Sequence, residues 1–275
     1  MIIDSHHHFW EYDPARHSWI SDEMKILRRD YLPANLESSL QAGGIEGGVA
    51  VQAYMSESET DYLLQCATGH SFIKGVVGWV DLCSAGVQER LEHFRTDPLL
   101  KGIRHIVQDE PDDFFMLRPD FQNGISLLSR YGLCYDILVY PRQLPAAIEL
   151  VRRFPEQQFV LDHIAKPQIS NGIDPQWEWH IQQLGSLPNV FCKLSGMVTE
   201  TRGFRWNREE FYPFMDIVMQ AFGPNRLMFG SDWPVCLLAA TYEEVKDIVT
   251  TYLRAFTQKE RQAVMGLNAV RCYGL

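Results

Sequence analysis

Two histidines near the start of the chain, His6 and His8, are spaced so that they could act together on one ion or one substrate. They stand at the end of a short apolar run in residues 1–10. If residues 2–8 form a β-strand, its period of two places Asp4, His6 and His8 on one face. Two imidazoles one pleat repeat apart can chelate a metal ion or hold a polar substrate. On this segment alone, a structural histidine pair that caps the strand explains the pattern equally well.

A second apolar run, residues 226–234, ends in Asp232, close to the other end of the chain. A chain whose first and last strands both carry ionisable groups at their C-terminal ends favours a closed barrel, in which these strands are neighbours. Asp232 would then face His6 and His8 across the mouth of the barrel. An aspartate before Trp-Pro is more often a turn residue, but the first strand makes a shared site the better interpretation.

Six further apolar runs lie between these two ends and alternate with helical patterns. Continuous strands rich in Val, Ile and Leu are typical of a parallel sheet that is covered on its outer face. We therefore predict a (β/α)8 TIM barrel formed by one domain, residues 1–275. A doubly wound open sheet is the alternative, but no Gly-x-Gly-x-x-Gly motif or P-loop follows any strand.

The strands and helices of this barrel can be placed along the sequence. Predicted strands cover 2–8, 48–53, 72–80, 101–107, 133–139, 159–163, 190–194 and the run from 226. Predicted helices cover 36–42, 57–67, 87–96, 121–131, 144–154, 177–184, 208–222, 242–255 and 258–265. The aromatic segment 9–33 has no clean period, and we expect it to form part of the active-site wall.

Composition excludes several classes of protein. The 275 residues are 46% hydrophobic and 22% charged, which is a globular composition. A formal charge of −10 without any Lys/Arg cluster argues against a nucleic-acid partner. No run is long enough to span a membrane, and the six scattered cysteines suit reduced thiols, so we expect a soluble cytoplasmic protein. The oligomeric state stays open, and a homo-oligomer is compatible with the sequence.

In a barrel of this type the chemistry lies where the strands end on their C-terminal side. Nearly every predicted strand ends there in polar or ionisable residues. The residues at these strand ends, which include two tryptophans, are Asp4, His6, His8, Gln52, Trp79, Asp81, Arg104, His105, Gln108, Asp136, Tyr140, Asp162, His163, Lys166, Lys193, Ser195, Asp232 and Trp233. Each of these alone is more often a cap or a solvated end. Polar groups at all eight strand ends, in the order that a barrel requires, are hard to ascribe to chance.

The ordered set of motifs resembles a known family. His6-x-His8 on the first strand and Gly-Ser-Asp-Trp-Pro at 230–234 are similar to the amidohydrolase superfamily, in its amidohydrolase-2 branch. Within that branch, the motifs at 101–111, 118–121 and 161–167 resemble the sugar-lactone hydrolases, a group that includes L-fuconolactonase and L-rhamnono-lactonase. The resemblance extends from residue 1 to about residue 235. His-x-His alone is a weak signal, whereas the whole ordered set is strong.

The resemblance implies a cytosolic lactonase that opens an aldonolactone in sugar catabolism. Ester hydrolysis needs a base for water, an electrophile for the carbonyl and a proton donor for the leaving alkoxide. Asp232 is the expected base, with His163 and His105 as further catalytic groups. Arg104, Gln108 and Lys166 are expected to bind the substrate, and Trp79 and Trp233 to offer flat walls to a sugar ring.

A single divalent metal ion, expected to be zinc, would be held by some subset of His6, His8, His163 and Asp232. Without an ion, the histidines would act directly as acids. The chain departs from the family in its fifth strand, which reads Cys-Tyr-Asp-Ile-Leu and has no histidine. It also lacks a bridging lysine for a second ion, because Lys101 precedes the end of the fourth strand and is expected to be solvated.

Two other functions stay open at this point. A metal-dependent decarboxylase of an aromatic or unsaturated acid occurs on the same branch, and there Arg104 would hold the substrate carboxylate. The many polar strand ends suit a polyol better than such an acid. A non-catalytic sugar-binding barrel is the third interpretation, but it would not require His6, His8 and Asp232 to converge.

Overall fold

The computed structural model describes all residues, 1–275, and its centre is a barrel of eight parallel strands in the order of the sequence. Each strand pairs with the next, so the C-terminal ends of all eight open at one mouth. The strands are β1 (Ile3–His7), β2 (Gly47–Val51), β3 (Ile73–Gly78), β4 (Leu100–His105), β5 (Cys134–Ile137), β6 (Phe159–Leu161), β7 (Val190–Leu194) and β8 (Leu227–Phe229). The predicted (β/α)8 barrel is confirmed.

Ten α-helices accompany the strands, and those that follow them cover the outside of the barrel. The helices are α1 (Pro33–Ala42), α2 (Glu57–Gly69), α3 (Val87–Phe94), α4 (Pro119–Leu128), α5 (Leu144–Arg153), α6 (Pro175–Gly185), α7 (Tyr212–Phe222), α8 (Tyr242–Tyr252), α9 (Gln258–Gln262) and α10 (Asn268–Tyr273). Local signals set several of their starts: Thr241 caps α8 in a capping box with Glu244, and Pro175 follows the Asp174 cap of α6. No helix has both the length and the apolar composition that crossing a lipid bilayer requires.

The barrel closes between β8 and β1, just beyond the end of the regular strand. The Asp232 amide donates to the His6 carbonyl at 2.8 Å, and the His8 amide donates to the Trp233 carbonyl at 2.7 Å. The Asp4 carboxylate accepts from both the backbone amide (2.8 Å) and the hydroxyl (2.6 Å) of Ser231. These bonds place the segments that carry His6, His8 and Asp232 side by side, as the sequence predicts.

A β-bulge in β1 corrects one expectation about its faces. Asp4 pairs with Gly48 and His7 with Ala50, so a step of three residues along β1 matches a step of two along β2. The extra residue interrupts the period of two. Asp4 therefore points outward, where it also accepts from the Tyr242 hydroxyl at 3.2 Å, while His6 points into the barrel. The prediction that Asp4 shares a face with His6 is wrong for this reason.

The C-terminal end of the chain fills the bottom of the barrel. The helix predicted over 258–265 ends early at Gln262, a π-helical turn follows at Ala263–Leu267, and α10 completes the chain. Ala269, Cys272 and Tyr273 of α10 pack among interior side chains of the strands, such as Ile3 and Val49. The six cysteines form no disulfide bond.

A polar contact links this plug to the interior of the barrel. The Tyr273 hydroxyl donates to Asp136 Oδ2 at 2.8 Å, and the same oxygen accepts from Lys193 Nζ at 2.6 Å. Lys101, at the same end of the barrel, donates to the carbonyl of Gly274 at 2.9 Å and lies far from the mouth. It is half-buried rather than fully solvated.

Tyr273→Phe tests this link between the plug and the barrel. Removing the hydroxyl deprives a buried carboxylate of one donor, so the free energy of unfolding should fall by about 1–3 kcal/mol. Urea denaturation followed by circular dichroism measures the change. Tyr212→Phe is the matched control, because the Tyr212 hydroxyl makes no hydrogen bond, and it should change stability by less than about 0.5 kcal/mol. Equal effects in the two variants would contradict the structural role of the bond.

Candidate active site

His6 and His8 lie side by side at the C-terminal end of β1, at the mouth of the barrel. Their Nε2 atoms are 3.2 Å apart, and both side chains are buried. The Nδ1 atom of His8 lies 2.7 Å from the carbonyl oxygen of Val51. A carbonyl can only accept, so Nδ1 of His8 carries the ring proton and its Nε2 presents a lone pair. The second strand thus fixes His8 in the form that can bind a cation.

Asp232 completes this group from the last strand. Its Oδ1 lies 3.3 Å from His8 Nε2 and 3.8 Å from His6 Nε2. Its backbone is left-handed, with φ of 58°, which turns the carboxylate towards the imidazoles. Burial alone would raise the pKa of Asp232, but its contacts with the His163 and His8 imidazoles outweigh burial and hold the pKa below its usual value. Asp232 is therefore an ionised carboxylate near neutral pH.

These three side chains fit a divalent metal ion. Ligands about 2.0–2.2 Å from a tetrahedral zinc lie about 3.3–3.6 Å apart. The 3.2 and 3.3 Å separations match this spacing within 0.1 Å, and the 3.8 Å separation needs only a small movement. All three ligand atoms are buried and converge on one point. The chain therefore has a group of His and Asp residues able to bind a metal.

His163 reaches the same mouth from the sixth strand end. Its Nε2 is 3.9 Å from Asp232 Oδ1, and its Nδ1 is 2.8 Å from the Ser195 hydroxyl. It begins a run of four left-handed residues, His163 to Lys166, with φ between 49° and 62°. Burial is the main cause that lowers the pKa of His163 to about 4, so its ring is neutral at physiological pH.

A layer of paired charges lies directly below the histidines. Arg104 Nη1 donates to Asp162 Oδ2 at 3.0 Å, and Arg104 Nη2 donates to the Gln52 carbonyl. Lys193 Nζ lies 2.9 Å from Asp162 Oδ1 and 3.2 Å from His6 Nδ1. Burial alone would lower the pKa of Lys193, but Asp136 and Asp162 raise it above its usual value, so the amine is charged.

Above this layer the mouth encloses a cavity of about 360 Å³. Its polar lining comes from His8, Arg104, Gln108, Asp109, Tyr140, His163, Lys166, Thr199, Glu200 and Asp232. Its apolar lining comes from Trp19, Met24, Ala53, Ile106, Leu138, Phe204, Val235 and Leu238. Trp19 and Met24 belong to the aromatic segment after β1, which confirms that this segment forms part of the wall. A cavity of this size and mixed character suits a small polar ring.

Lys166 lies in the polar wall with two partners. Its Nζ is 3.3 Å from Glu200 Oε1 and donates to Gln108 Oε1 at 3.2 Å. It also lies over the Tyr140 ring, 5.3 Å from the centroid. Burial would lower the pKa of Lys166, but the Glu200 carboxylate raises it above its usual value. The structure thus brings the predicted residues Gln108 and Lys166 together in the cavity.

Three predicted site residues lie outside both the cavity lining and the buried group of His6, His8 and Asp232. His105 follows Arg104 on β4 and therefore points to the outside of the barrel, where it bonds Glu110 at 2.7 Å and stacks on Phe115. Trp79 donates to His105 at 3.4 Å, behind the wall. Trp233 is buried against Phe9 and Tyr31. The structure therefore corrects the expected positions of His105, Trp79 and Trp233: all three pack behind the site.

Several residues at the site escaped sequence reasoning. Asp162, Lys193 and Tyr140 are among the residues at predicted strand ends, but the sequence assigns them no role. Glu200 lies outside the predicted strand ends altogether. A lysine inside the apolar run Val-Phe-Cys-Lys-Leu of β7 is the one available signal, because a charged residue in a buried strand needs partners. The partners themselves come from distant strands.

Comparison with known proteins agrees with this geometry. A family model described as amidohydrolase matches residues 3–275. An L-fucono-1,5-lactonase of Burkholderia multivorans is 41% identical, and the match covers 100% of this chain and 96% of the relative. An L-fucono-1,5-lactonase of Burkholderia ambifaria is 38% identical over 87% of this chain and 82% of its own length. A crystal structure of an amidohydrolase from Burkholderia multivorans with bound zinc is 40% identical, has a TM-score of 0.96 and covers 100% of this chain and 99% of its own.

Gly196→Ala tests how tightly His163 is held. A Cβ atom at Gly196 would lie 2.6 Å from His163 Nδ1, and its φ is +66°. Gly203 is a matched control, since its φ is +64° but no atom lies within 4 Å of a Cβ there. We expect Gly203→Ala to cost about 1–2 kcal/mol of unfolding free energy from backbone strain. Gly196→Ala should cost about 1–3 kcal/mol more from the contact with the imidazole. Equal costs, measured by urea denaturation, would show that His163 has room to move.

Proposed function

The chain belongs to the amidohydrolase family, and on this basis we propose that it hydrolyses an aldonolactone, such as L-fucono-1,5-lactone, to the open-chain aldonic acid. The observation that supports the proposal most directly is the convergence of Asp232, His8 and His163 on one cavity of about 360 Å³. The L-fucono-1,5-lactonases at 41% and 38% identity support a sugar lactone as the substrate. This reaction would be a step of sugar catabolism.

The reaction adds one water molecule to a cyclic ester. The water oxygen bonds to the carbonyl carbon, the bond between that carbon and the ring oxygen breaks, and the product is a carboxylic acid with a free hydroxyl. One proton must leave the water, and one must reach the leaving alkoxide. The site therefore needs a base and an acid within reach of the same carbon atom.

Asp232 is the proposed base. Its carboxylate is ionised, it lines the cavity, and its three contacts with imidazoles are all made by Oδ1. Oδ2 is therefore left to accept the proton of an attacking water. The left-handed backbone at Asp232 holds the carboxylate in this orientation, so little reorganisation is needed when the substrate binds.

His163 is the proposed proton donor for the leaving alkoxide, and the proton that Asp232 takes from the water then passes to His163, whose Nε2 lies 3.9 Å from Asp232 Oδ1. Its ring is neutral, and when the Ser195 hydroxyl donates to Nδ1, the ring proton lies on Nε2, which faces the cavity. Arg104 contributes positive charge at the cavity floor, where negative charge develops on the carbonyl oxygen. Its bonds to Asp162 and Gln52 hold this charge in place.

One zinc ion would be held by His6, His8 and Asp232, whereas His163 would keep its Nε2 proton for the leaving alkoxide. When bound, zinc supplies a Lewis acid for the carbonyl and lowers the pKa of a coordinated water. His8 is already fixed in the ligating form by Val51. The zinc-bound structure at 40% identity supports the choice of this ion.

The polar wall is the proposed binding site for the sugar hydroxyls. Lys166, Gln108 and Glu200 present an ammonium, an amide and a carboxylate at neighbouring positions, and together they can both donate to and accept from a diol. The opposite wall, with Met24, Val235 and Leu238, suits the carbon face of the ring. This mixed polar lining suits a polyol better than an aromatic acid, which favours the lactonase over a decarboxylase.

A panel of aldonolactones with a pH-indicator dye tests the proposed function, and aromatic acids are included in the same panel. Ring opening releases a proton, so the dye should report turnover with one or a few sugar lactones and none with the aromatic acids. Decarboxylation of an aromatic acid without lactone turnover would overturn the proposal. Binding of lactones without turnover would instead identify a sugar-binding protein.

Asp232→Asn tests the base. The substitution is nearly isosteric but removes the proton acceptor, so kcat on the best lactone should fall by about 10²–10⁴ with an unchanged circular dichroism spectrum. Asp61→Asn is the control, because Asp61 is exposed and lies outside the cavity, and its kcat should stay within about threefold. A rate above about one third of wild type in Asp232→Asn would remove Asp232 from this role.

Metal analysis combined with chelation tests the ion. We expect at most one divalent ion per chain, zinc, and loss of measurable turnover when it is removed, since a Lewis acid contributes several kcal/mol of transition-state stabilisation. Added zinc should restore the rate. His8→Asn should abolish binding, whereas His105→Asn, an imidazole outside the cavity, should retain it. Two ions per chain, or a chelated enzyme within about twofold of the untreated rate, would contradict this assignment.

A further inference from the structure

The Nδ1 atom of His6 has two competing neighbours inside the barrel. Lys193 Nζ, a donor, lies 3.2 Å away, and Asp162 Oδ1, an acceptor, lies 3.3 Å away. All three side chains are fully buried, so water cannot replace either partner. A neutral imidazole carries one proton on its two nitrogens, and Nδ1 can therefore bond only one of the two neighbours at a time.

One protonation pattern satisfies a continuous chain of hydrogen bonds. Lys193 donates to Nδ1 of His6, which leaves the ring proton of His6 on Nε2. That proton is then donated to Nε2 of His8 at 3.2 Å, and Nδ1 of His8 donates to the Val51 carbonyl at 2.7 Å. Every donor in this chain meets an acceptor, and Arg104 Nη1, which lies 3.3 Å from His6 Nε2, donates to Asp162 Oδ2 at 3.0 Å instead.

A metal ion held by His6 and His8 requires the opposite pattern at His6. Both Nε2 atoms must then present lone pairs, so the ring proton of His6 must lie on Nδ1. Asp162 Oδ1 is the acceptor available for it, in the arrangement of carboxylate, histidine and metal that raises the basicity of a ligating imidazole. Lys193 must in turn direct its third N–H bond away from Nδ1.

We infer that Asp162 and Lys193 are positioning residues that select between these two tautomers of His6, and that this selection sets the affinity of the site for its metal ion. The inference rests on the metal site of the proposed function. Asp162 stabilises the tautomer that ligates, and Lys193 stabilises the tautomer that donates to His8. Metal and proton thus occupy the same position between the two Nε2 atoms in alternation.

The contacts of the two residues allow this exchange. Lys193 Nζ donates to Asp136 Oδ2 at 2.6 Å, forms an ion pair with Asp162 Oδ1 at 2.9 Å and lies 3.2 Å from His6 Nδ1, so the contact given up is the longest. Asp162 is held from the other side by Arg104 Nη1 at 3.0 Å. Both residues can therefore change their bond to His6 without losing their remaining partners.

The tautomer of His6 can be observed directly in the wild-type protein. Long-range nitrogen–proton correlation spectra of protein labelled with nitrogen-15 in histidine distinguish a protonated Nδ1 from a protonated Nε2. The His6 signals are assigned by their loss in His6→Gln. We expect Nε2–H in chelator-treated protein and Nδ1–H after addition of one equivalent of zinc. Nδ1–H in both samples would overturn the inference while leaving the metal site intact, whereas failure of zinc to perturb His6 would overturn both.

Zinc affinity in two matched variants gives an independent readout. Asp162→Asn removes the acceptor for Nδ1–H and should weaken zinc binding by about 10–100-fold in a chelator competition titration. Asp136→Asn is the control, because Asp136 also pairs with Lys193 but makes no contact with His6, and it should change the affinity by less than about threefold. An equal loss in both variants would show that the charge cluster acts on zinc only through general stability. Should a variant fail to fold, the wild-type spectra still decide the question.

Discussion

A cluster of two carboxylates and two cations lies inside the barrel, directly below the histidines, and balances its own charge. Its members are Asp136, Asp162, Lys193 and Arg104. Single charges buried in this way would cost several kcal/mol each, and loss of one partner typically costs about 3–5 kcal/mol. The cluster reaches His6 through Lys193 and Asp162, and it reaches the C-terminal helix through Tyr273. The floor of the active site and the plug of the barrel therefore depend on the same set of ion pairs.

The mouth of the barrel depends on a second constraint, which is backbone strain. Left-handed conformations cost about 1–2 kcal/mol per non-glycine residue, and four of them follow one another from His163 to Lys166. Burial of Ile164 and Ala165 and the bond from Trp177 Nε1 to the Ile164 carbonyl, at 2.9 Å, offset this cost. The tight turn directs both His163 and Lys166 into the cavity. A proposed acid and a proposed substrate ligand are thereby held by one rigid segment.

Much of this fold can be predicted from the sequence, because continuous apolar runs, helix caps and strand-end polar residues are local signals. The order of the strands alone predicts which residues lie at the mouth: His6, His8, Arg104, His163 and Asp232. The sequence does not predict the direction in which several other side chains point. The bulge in β1 that turns Asp4 outward arises from pairing with β2. Arg104 and His105 are consecutive on β4 and must point in opposite directions, and only the register of β4 shows that Arg104 is the one that points inward.

Other features depend on contacts between distant parts of the chain. Lys193 finds its partners on β5 and after β6, and α10 returns to the bottom of a barrel whose strands began 270 residues earlier, with Tyr273 bonded to Asp136. No local sequence pattern predicts which residues from distant parts of the chain will pair in this way. The sequence can therefore predict which residues carry chemistry, whereas the structure shows which of them are held in position and by what.

Attack of water on the carbonyl carbon of a sugar lactone, with Asp232 as the base, is tested most directly by turnover in oxygen-18 water. Purified protein is incubated with the most active lactone of the panel, and the reaction is stopped before the lactone is fully consumed. The aldonic acid is then analysed by mass spectrometry with fragmentation. We expect one labelled oxygen in the carboxylate and none in the newly freed hydroxyl. Label in the hydroxyl, which would mean cleavage on the alkyl side of the ring oxygen, or no opened lactone at all, would contradict it.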